Sequence, residues 1–249
     1  MQSLFAYPGS KWHLMPHLVR LFPKHEHYVT AFGGSGTDIL RKKRSKIETF
    51  SDLEQDIINC FRVLRDVDRR QALVERLEYT EYSRQVFEEA LQSLDSIDPV
   101  TRAWAWLVAC IQGHANKSPR RAHASNWSYD VGTQRQRRRI RELRDGLHSV
   151  VVRFRDVQLF EKDWRWILNK FKGDGVFFFL DPPYLLSTRS DRCYRHEMTD
   201  EDHEELLERL LSLRGKAMLF GHESPMYMDA LRGWQVYRTT EKERVWLNY

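Results

Sequence analysis

Gly175-Val176-Phe177-Phe178-Phe179-Leu180-Asp181-Pro182-Pro183-Tyr184 is the stretch on which the reading of this chain turns. Its five consecutive apolar residues, aromatic and β-branched at the front, read as a short strand buried on both faces. The strand stops where proline can no longer donate to a ladder. An acid, a rigid diproline and a tyrosine then sit at its carboxyl end, where open α/β sheets bind their ligands.

Working outward, the alternation of strand and helix continues on both sides. Val157 to Phe160 reads as a strand ending at Glu161-Lys162-Asp163, ahead of a helix from Trp164 to Phe171. After Tyr184 a polar loop leads to Thr199, an N-cap followed by three acids, and a helix that runs to Gly215. Lys216 to Gly221 is a strand and Pro225 to Leu231 a short helix. Trp234 to Thr239 and Arg244 to Tyr249 form a closing β pair. Near the N-terminus, Tyr7-Pro8-Gly9-Ser10-Lys11 is a turn, and the apolar periodicity from Trp12 to Phe22 predicts a helix. Tyr28 to Phe32 then reads as a strand, and Gly33-Gly34-Ser35-Gly36 as a turn into a helix starting near Thr37. Such a turn presents unpaired N–H groups to a polar ligand. A second strand, Ile47 to Phe50, ends at Ser51-Asp52, 19 residues after Gly33. An acid about 20 residues past the glycines is placed to accept hydrogen bonds from a ribose.

Between these halves the pattern changes. From Leu53 to about Gln112 the apolar spacing is helical, and from Gly113 to Gly132 it is that of a loop. A basic helix follows. Lys117 to Arg144 carries nine basic and two acidic residues, interleaved with Trp127 and Tyr129. Arginines grip phosphate while aromatic rings stack on bases, so Arg120, Arg121, Trp127, Arg135, Arg137, Arg138 and Arg139 are candidate DNA contacts. Residues 1–60 and 150–249 are therefore expected to form one α/β domain, interrupted by a helical, basic recognition insert at 61–149.

The 249 residues suffice for a sizeable core, and the net charge of +5 suits an acidic partner such as nucleic acid. Three dispersed cysteines fit a reducing cytoplasm. No signal-type apolar run opens the sequence, and no stretch approaches the ~20 apolar residues of a membrane span, so no membrane partner is expected. The ten histidines form no metal-binding pattern, and no metal is expected.

Three strand ends thus carry an acid: Asp52, Asp163 and Asp181. Two can hold a nucleoside. The third suits a reaction at an exocyclic amine, whose lone pair is delocalised into its base. A carboxylate (Asp181) and a fixed carbonyl (Pro182) can each accept one amino hydrogen and stabilise the positive charge that grows as the nitrogen attacks. Tyr184 offers a flat face to a base drawn out of the helix.

In this order the motifs resemble those of the Dam-like DNA adenine methyltransferases, the α-group with D-P-P-Y, over nearly the whole chain. Tyr7 to Lys11 looks like the family's N-terminal cofactor motif, Phe32-Gly33-Gly34-Ser35-Gly36 its glycine motif, and Asp181 to Tyr184 its catalytic motif. The resemblance implies a Rossmann-like class I fold that transfers a methyl group from S-adenosyl-L-methionine to the 6-amino group of adenine in double-stranded DNA. It implies catalytic roles for Asp181, Pro182 and Tyr184. It assigns the cofactor to Tyr7, Lys11, Phe32, Gly33, Gly34, Gly36, Asp52, Asp163 and Asp181. It also suggests the cytoplasm of a bacterial or phage-infected cell and a possible cognate restriction enzyme; the oligomeric state stays open. Two other readings remain at this stage. The glycine turn and Asp52 also suit a nicotinamide-dependent oxidoreductase, in which D-P-P-Y and the arginines have no role. A catalytically weak or inactive DNA-binding relative of the same fold would keep the arginines and lose the chemistry.

Overall fold

The computed structural model describes residues 3–113, 118–121, 126–128, 135–189 and 191–249, with the side chains of 135–139 left out. Its strands are β1 (His27–Thr30), β2 (Ile47–Ser51), β3 (Gln158–Phe160), β4 (Val176–Leu180), β5 (Lys216–His222), β6 (Gln235–Arg238) and β7 (Glu243–Leu247). Its helices are α1 (Met15–Leu18), α2 (Thr37–Arg41), α3 (Gln55–Arg65), α4 (Val67–Glu78), α5 (Arg84–Gln92), α6 (Pro99–Gln112), α7 (Arg135–Phe154), α8 (Trp164–Lys170), α9 (Asp200–Leu211) and α10 (Pro225–Ala230).

All seven strands join one sheet in the order β3-β2-β1-β4-β5-β7-β6. The first five in that order run parallel, while β7 is antiparallel to both β5 and β6. β4 lies at the middle, as its sequence requires. Each of its five residues is buried, and alternate side chains feed opposite cores. Phe177 and Phe179 join the core that includes Tyr28, Phe50, Phe61 and Trp106. Val176, Phe178 and Leu180 join the other, with Ile167, Leu206 and Tyr227. Burying each phenylalanine contributes about 1.5–3 kcal/mol, so this strand fixes both helical layers. The chain order reverses between β1 and β4, the point at which open α/β sheets leave a crevice at their carboxyl edge.

The helices within 61–149 share the first core with the sheet. Leu73, Leu77, Trp106 and Leu107 pack continuously with Phe177 and Phe179. Helix α7 is tied to β2 by Arg153, whose guanidinium gives two hydrogen bonds to the buried Glu48, at 2.5 and 2.7 Å. Lys42 reaches the same carboxylate. Despite its burial, these cations hold Glu48 down to about 2. Helix α7 also stacks Phe154 on Phe61, with ring centres 4.1 Å apart.

The helix predicted over Trp12 to Phe22 is much shorter. It spans Met15–Leu18 and passes into a 3-10 turn at Val19–Leu21. Pro16 accounts for the start, since a residue without an N–H is tolerated only in a first turn, and Pro23 forces Phe22 into an extended conformation.

Gly36 caps α2 at φ 67°, and a Cβ there would lie 2.7 Å from Phe154 Cζ and 3.1 Å from Phe61 Cζ. Gly36→Ala should therefore cost about 2–3 kcal/mol, from left-handed strain and overpacking together. Urea unfolding monitored by circular dichroism would register it as a lower midpoint at unchanged slope.

Candidate active site

The carboxyl ends of β1, β2, β3 and β4 open onto a cavity of about 400 Å³. Tyr7, Lys11, Phe32, Gly33, Gly34, Asp52, Asp163 and Asp181 all line it, brought together from positions up to 174 residues apart. Gly36 does not line it; the glycine serves the turn and the Phe154 contact instead.

Locally, Asp52 directly follows β2, and its two oxygens accept from the backbone N–H groups of Gly34 (2.7 Å) and Glu54 (2.8 Å). The Gly34 N–H, expected to face a ligand, thus holds Asp52 in place. Gly33 lies so close to Phe50 that a Cβ would fall 2.3 Å from its ring. Only glycine lets the turn and β2 approach this closely. Burial pushes the Asp52 carboxyl up to about 6 despite those hydrogen bonds. Asp163 caps α8 by accepting from Arg165 N at 2.8 Å. Tyr7 packs with Phe5 and Trp106 on one side and Tyr194 on the other, its ring centre 6.0 Å from that of Tyr194.

Two further liners had no role assigned to them from the sequence. Glu54 is 2% exposed and pairs with Arg195 at 3.4 Å, while its Oε2 is buried with no hydrogen-bond partner among the described residues. Burial first, then the neighbouring Asp56, raise its carboxyl to about 7, with Arg195 opposing. Tyr194 covers the opposite wall. Glu54 lies two residues beyond the assigned ribose acid, and that adjacency was its only signal. For Tyr194, the signal was the resemblance of the stretch from Tyr194 to Leu207 to the family's pattern, which assigned it no role.

The corner around Asp181 is an ion cluster. Lys11, 5% exposed, places Nζ 2.8 Å from Asp181 Oδ2, 3.4 Å from Glu243 Oε2 and 2.8 Å from the Gly9 carbonyl it donates to. The Tyr184 hydroxyl donates to Glu243 Oε2 at 2.7 Å and approaches Asp181 Oδ1 at 3.1 Å. Burial raises the Asp181 carboxyl; Lys11 works against this and Glu243 with it. Lys11 therefore faces the D-P-P-Y acid directly. Pro182 is buried and Pro183 lines the cavity. Tyr184 does not line it; its ring meets His222 edge-on at 4.7 Å, on the far side of Asp181.

The candidate DNA contacts fall elsewhere. Arg120 is turned inward: Nε and Nη2 reach the two oxygens of the buried Asp56 at 2.6 and 3.1 Å, and Nη1 pairs with Asp95. Asp56, only 1% exposed, needs that cation, so Arg120 is corrected from a phosphate contact to an internal ion pair. Arg121 donates Nε to the Tyr194 carbonyl at 2.5 Å. Trp127 donates to Gln112 Oε1 at 3.3 Å and packs on Tyr82. The side chains of Arg135, Arg137, Arg138 and Arg139 lie outside the described residues. Among the described residues no group of His, Cys, Asp and Glu is arranged to hold a metal ion, and no helix is long and apolar enough to cross a membrane.

Residues 7–242 match the model of the D12 class N6 adenine-specific DNA methyltransferases, and the chain belongs to that family. It is 24% identical over 253 residues to the type II methyltransferase M1.LlaDCHI of Lactococcus lactis subsp. cremoris, an alignment covering 96% of this chain and 87% of that one. The crystal structure of SMU.472 complexed with SAH superposes at a TM-score of 0.40 and 11% identity, over 99% of this chain; the chain spans 54% of that one. The sheet is accordingly a Rossmann-like class I methyltransferase sheet, and the reaction is methylation of adenine N6 in DNA from S-adenosyl-L-methionine.

The cavity fits that donor. Two carboxyls raised by burial, Asp52 and Glu54, gain from a cationic ligand. Both are neutral at acid pH and ionise as pH rises through about 6 and about 7. Affinity for the cationic S-adenosylmethionine should therefore weaken as pH falls below about 7, by up to about tenfold per pH unit for each group. Glu54→Gln should remove the upper part of that dependence. Calorimetric titration across the range, with wild type and variant, checks both.

Proposed function

We propose that the chain is a Dam-like, D-P-P-Y adenine methyltransferase acting on double-stranded DNA, with Asp181, Pro182 and Tyr184 performing the chemistry. The observation that carries this reading is that Asp181 sits on the floor of the same cavity as Asp52, with its carboxylate beside a buried lysine. S-adenosylmethionine supplies an electrophilic methyl group. Asp181 accepts one amino hydrogen of the flipped adenine and the Pro182 carbonyl accepts the other, which draws the nitrogen lone pair out of the ring. Once methylated, the nitrogen would shed one proton, for which Asp181 is the nearest base. Tyr184 backs the base on the side away from the cofactor. Tyr7, Phe32, Gly33, Gly34, Asp52 and Asp163 hold the donor, and Lys11 neutralises the carboxylate between the two pockets.

The similarity to a type II methyltransferase favours a cognate restriction endonuclease as functional partner, and the dispersed, free cysteines favour the cytoplasm. The experiment is to incubate the protein with labelled S-adenosylmethionine and unmethylated duplex DNA. Wild type should deposit 6-methyladenine, and Asp181→Ala should be slower by at least about 10²-fold while still binding cofactor. A wild-type protein that binds both ligands and leaves no methylated adenine belongs to the non-catalytic reading.

DNA affinity separates the arginines. Neutralising Arg135, Arg137, Arg138 and Arg139 together should flatten the dependence of log affinity on log salt, by roughly 0.9 for each phosphate left without its cation. Arg120→Ala should leave that slope alone and instead cost about 3 kcal/mol of stability, because Asp56 loses its main cation. Fluorescence anisotropy over a salt series and chemical unfolding measure the two.

A further inference from the structure

Asp181 is engaged twice within the protein. Lys11 Nζ takes Oδ2 at 2.8 Å and the Tyr184 hydroxyl approaches Oδ1 at 3.1 Å. A carboxylate whose charge is drawn toward an ammonium is a weaker acceptor for a neutral amine. Both donors, however, also reach one other atom, Glu243 Oε2, at 3.4 and 2.7 Å. Glu243 stands at the start of β7, behind Asp181 and outside the cavity lining. Its other oxygen accepts from Thr239 Oγ1 at 2.7 Å, and its side chain is 11% exposed. Two donors are thus shared between two carboxylates, one facing the substrate and one fixed from the rear. Moving Lys11 from the closer carboxylate to the other requires a shift of about 0.6 Å.

We propose that Glu243 is a positioning residue that takes Lys11 and the Tyr184 hydroxyl from Asp181 as the target amine docks, freeing Asp181 to accept the amino hydrogen. This rests on the catalytic reading of Asp181 given above. A bond to Tyr184 alone would be served by a neutral glutamine, whereas drawing an ammonium away from Asp181 requires a second negative charge. A second carboxylate this close to Asp181 carries a repulsive cost that a purely structural acceptor would avoid.

The test is Glu243→Gln, which keeps the shape and an acceptor for Tyr184 while removing the charge. Single-turnover methylation at saturating S-adenosylmethionine and DNA should slow by at least about tenfold, with cofactor and DNA affinities within about twofold of wild type. The charged and titratable groups facing Asp181 are Lys11 from the N-terminal turn, Tyr184 from its own loop, Tyr194 from the next loop and Glu243 from β7. With Glu243 neutral, the repulsion is gone and Lys11 is undivided. The acid limb of the single-turnover profile should then move to lower pH even though the plateau falls. Glu243→Asp keeps the charge but not the reach, so its rate should fall while its acid limb stays near wild type. It also serves if the glutamine variant fails to fold. An unchanged rate in either variant, an unmoved limb in Glu243→Gln, or a loss lying wholly in ligand affinity would overturn the assignment. Asp181→Ala run alongside separates the two levels: full activity there removes the catalytic reading itself. An inactive Asp181→Ala beside a wild-type-like Glu243→Gln removes only the role of Glu243.

Discussion

A carboxylate at the end of a strand buried on both faces must find a cation, and that constraint organises this molecule. β4 sits between β1 and β5, with a hydrophobic core on each side, so the backbone leaves Asp181 little freedom of position. Burial there raises its carboxyl, which a nearby cation opposes. That cation is Lys11, and to reach Asp181 it must come from the N-terminal turn, more than 160 residues away in sequence. The turn is in turn seated on the glycine loop: Ser10 Oγ lies 3.0 Å from Thr37 Oγ1, and Tyr7 covers Gly34. The first dozen residues are thus fixed partly by electrostatics at a distant strand end.

The two halves of the cavity are charged differently. Around Asp181 one lysine serves two carboxylates, so that corner is held together internally before any ligand arrives. Around Asp52 and Glu54 the acids have backbone donors and one half-exposed arginine, and burial raises both. The second half therefore has more to gain from a positive ligand than the first. That asymmetry matches a donor that carries positive charge and a substrate base that does not.

Much of this was legible in the sequence, for physical reasons that also explain what was not. The strand Val176–Leu180 was readable because a run of apolar residues ended by two prolines has few other solutions. Asp52 was readable because the distance from glycine turn to next strand end is set by one helix and one strand. The length of α1 was misjudged because apolar periodicity outweighs Pro16 in a sequence pattern, whereas in the chain the missing N–H decides. Arg120 was misassigned because composition reports charge without its partner, and Asp56 sits 64 residues away. The ending from Glu243 to Asn248 resembles the family's pattern, but no role for Glu243 could be read there, since only the antiparallel pairing of β7 with β5 carries it behind Asp181.

The same pairing logic links residues 118–121 to the cavity. Ser118 N donates to the Cys193 carbonyl at 2.8 Å and Arg121 to the Tyr194 carbonyl at 2.5 Å, so residues 118–121 hold the loop that carries the Tyr194 wall. Arg120 meanwhile holds Asp56, whose charge is among the causes that raise Glu54, and Arg195 of that loop pairs with Glu54 itself. Three elements, namely the short segment 118–121, the start of α3 and the loop after D-P-P-Y, therefore share one set of ion pairs and backbone bonds. Arg120 and Arg121 are in the basic stretch and yet face inward because these carbonyls and the buried Asp56 are stronger claims on a guanidinium than solvent is. What residues 118–121 contribute at this point is support for one wall of the cavity, through the carbonyls of Cys193 and Tyr194.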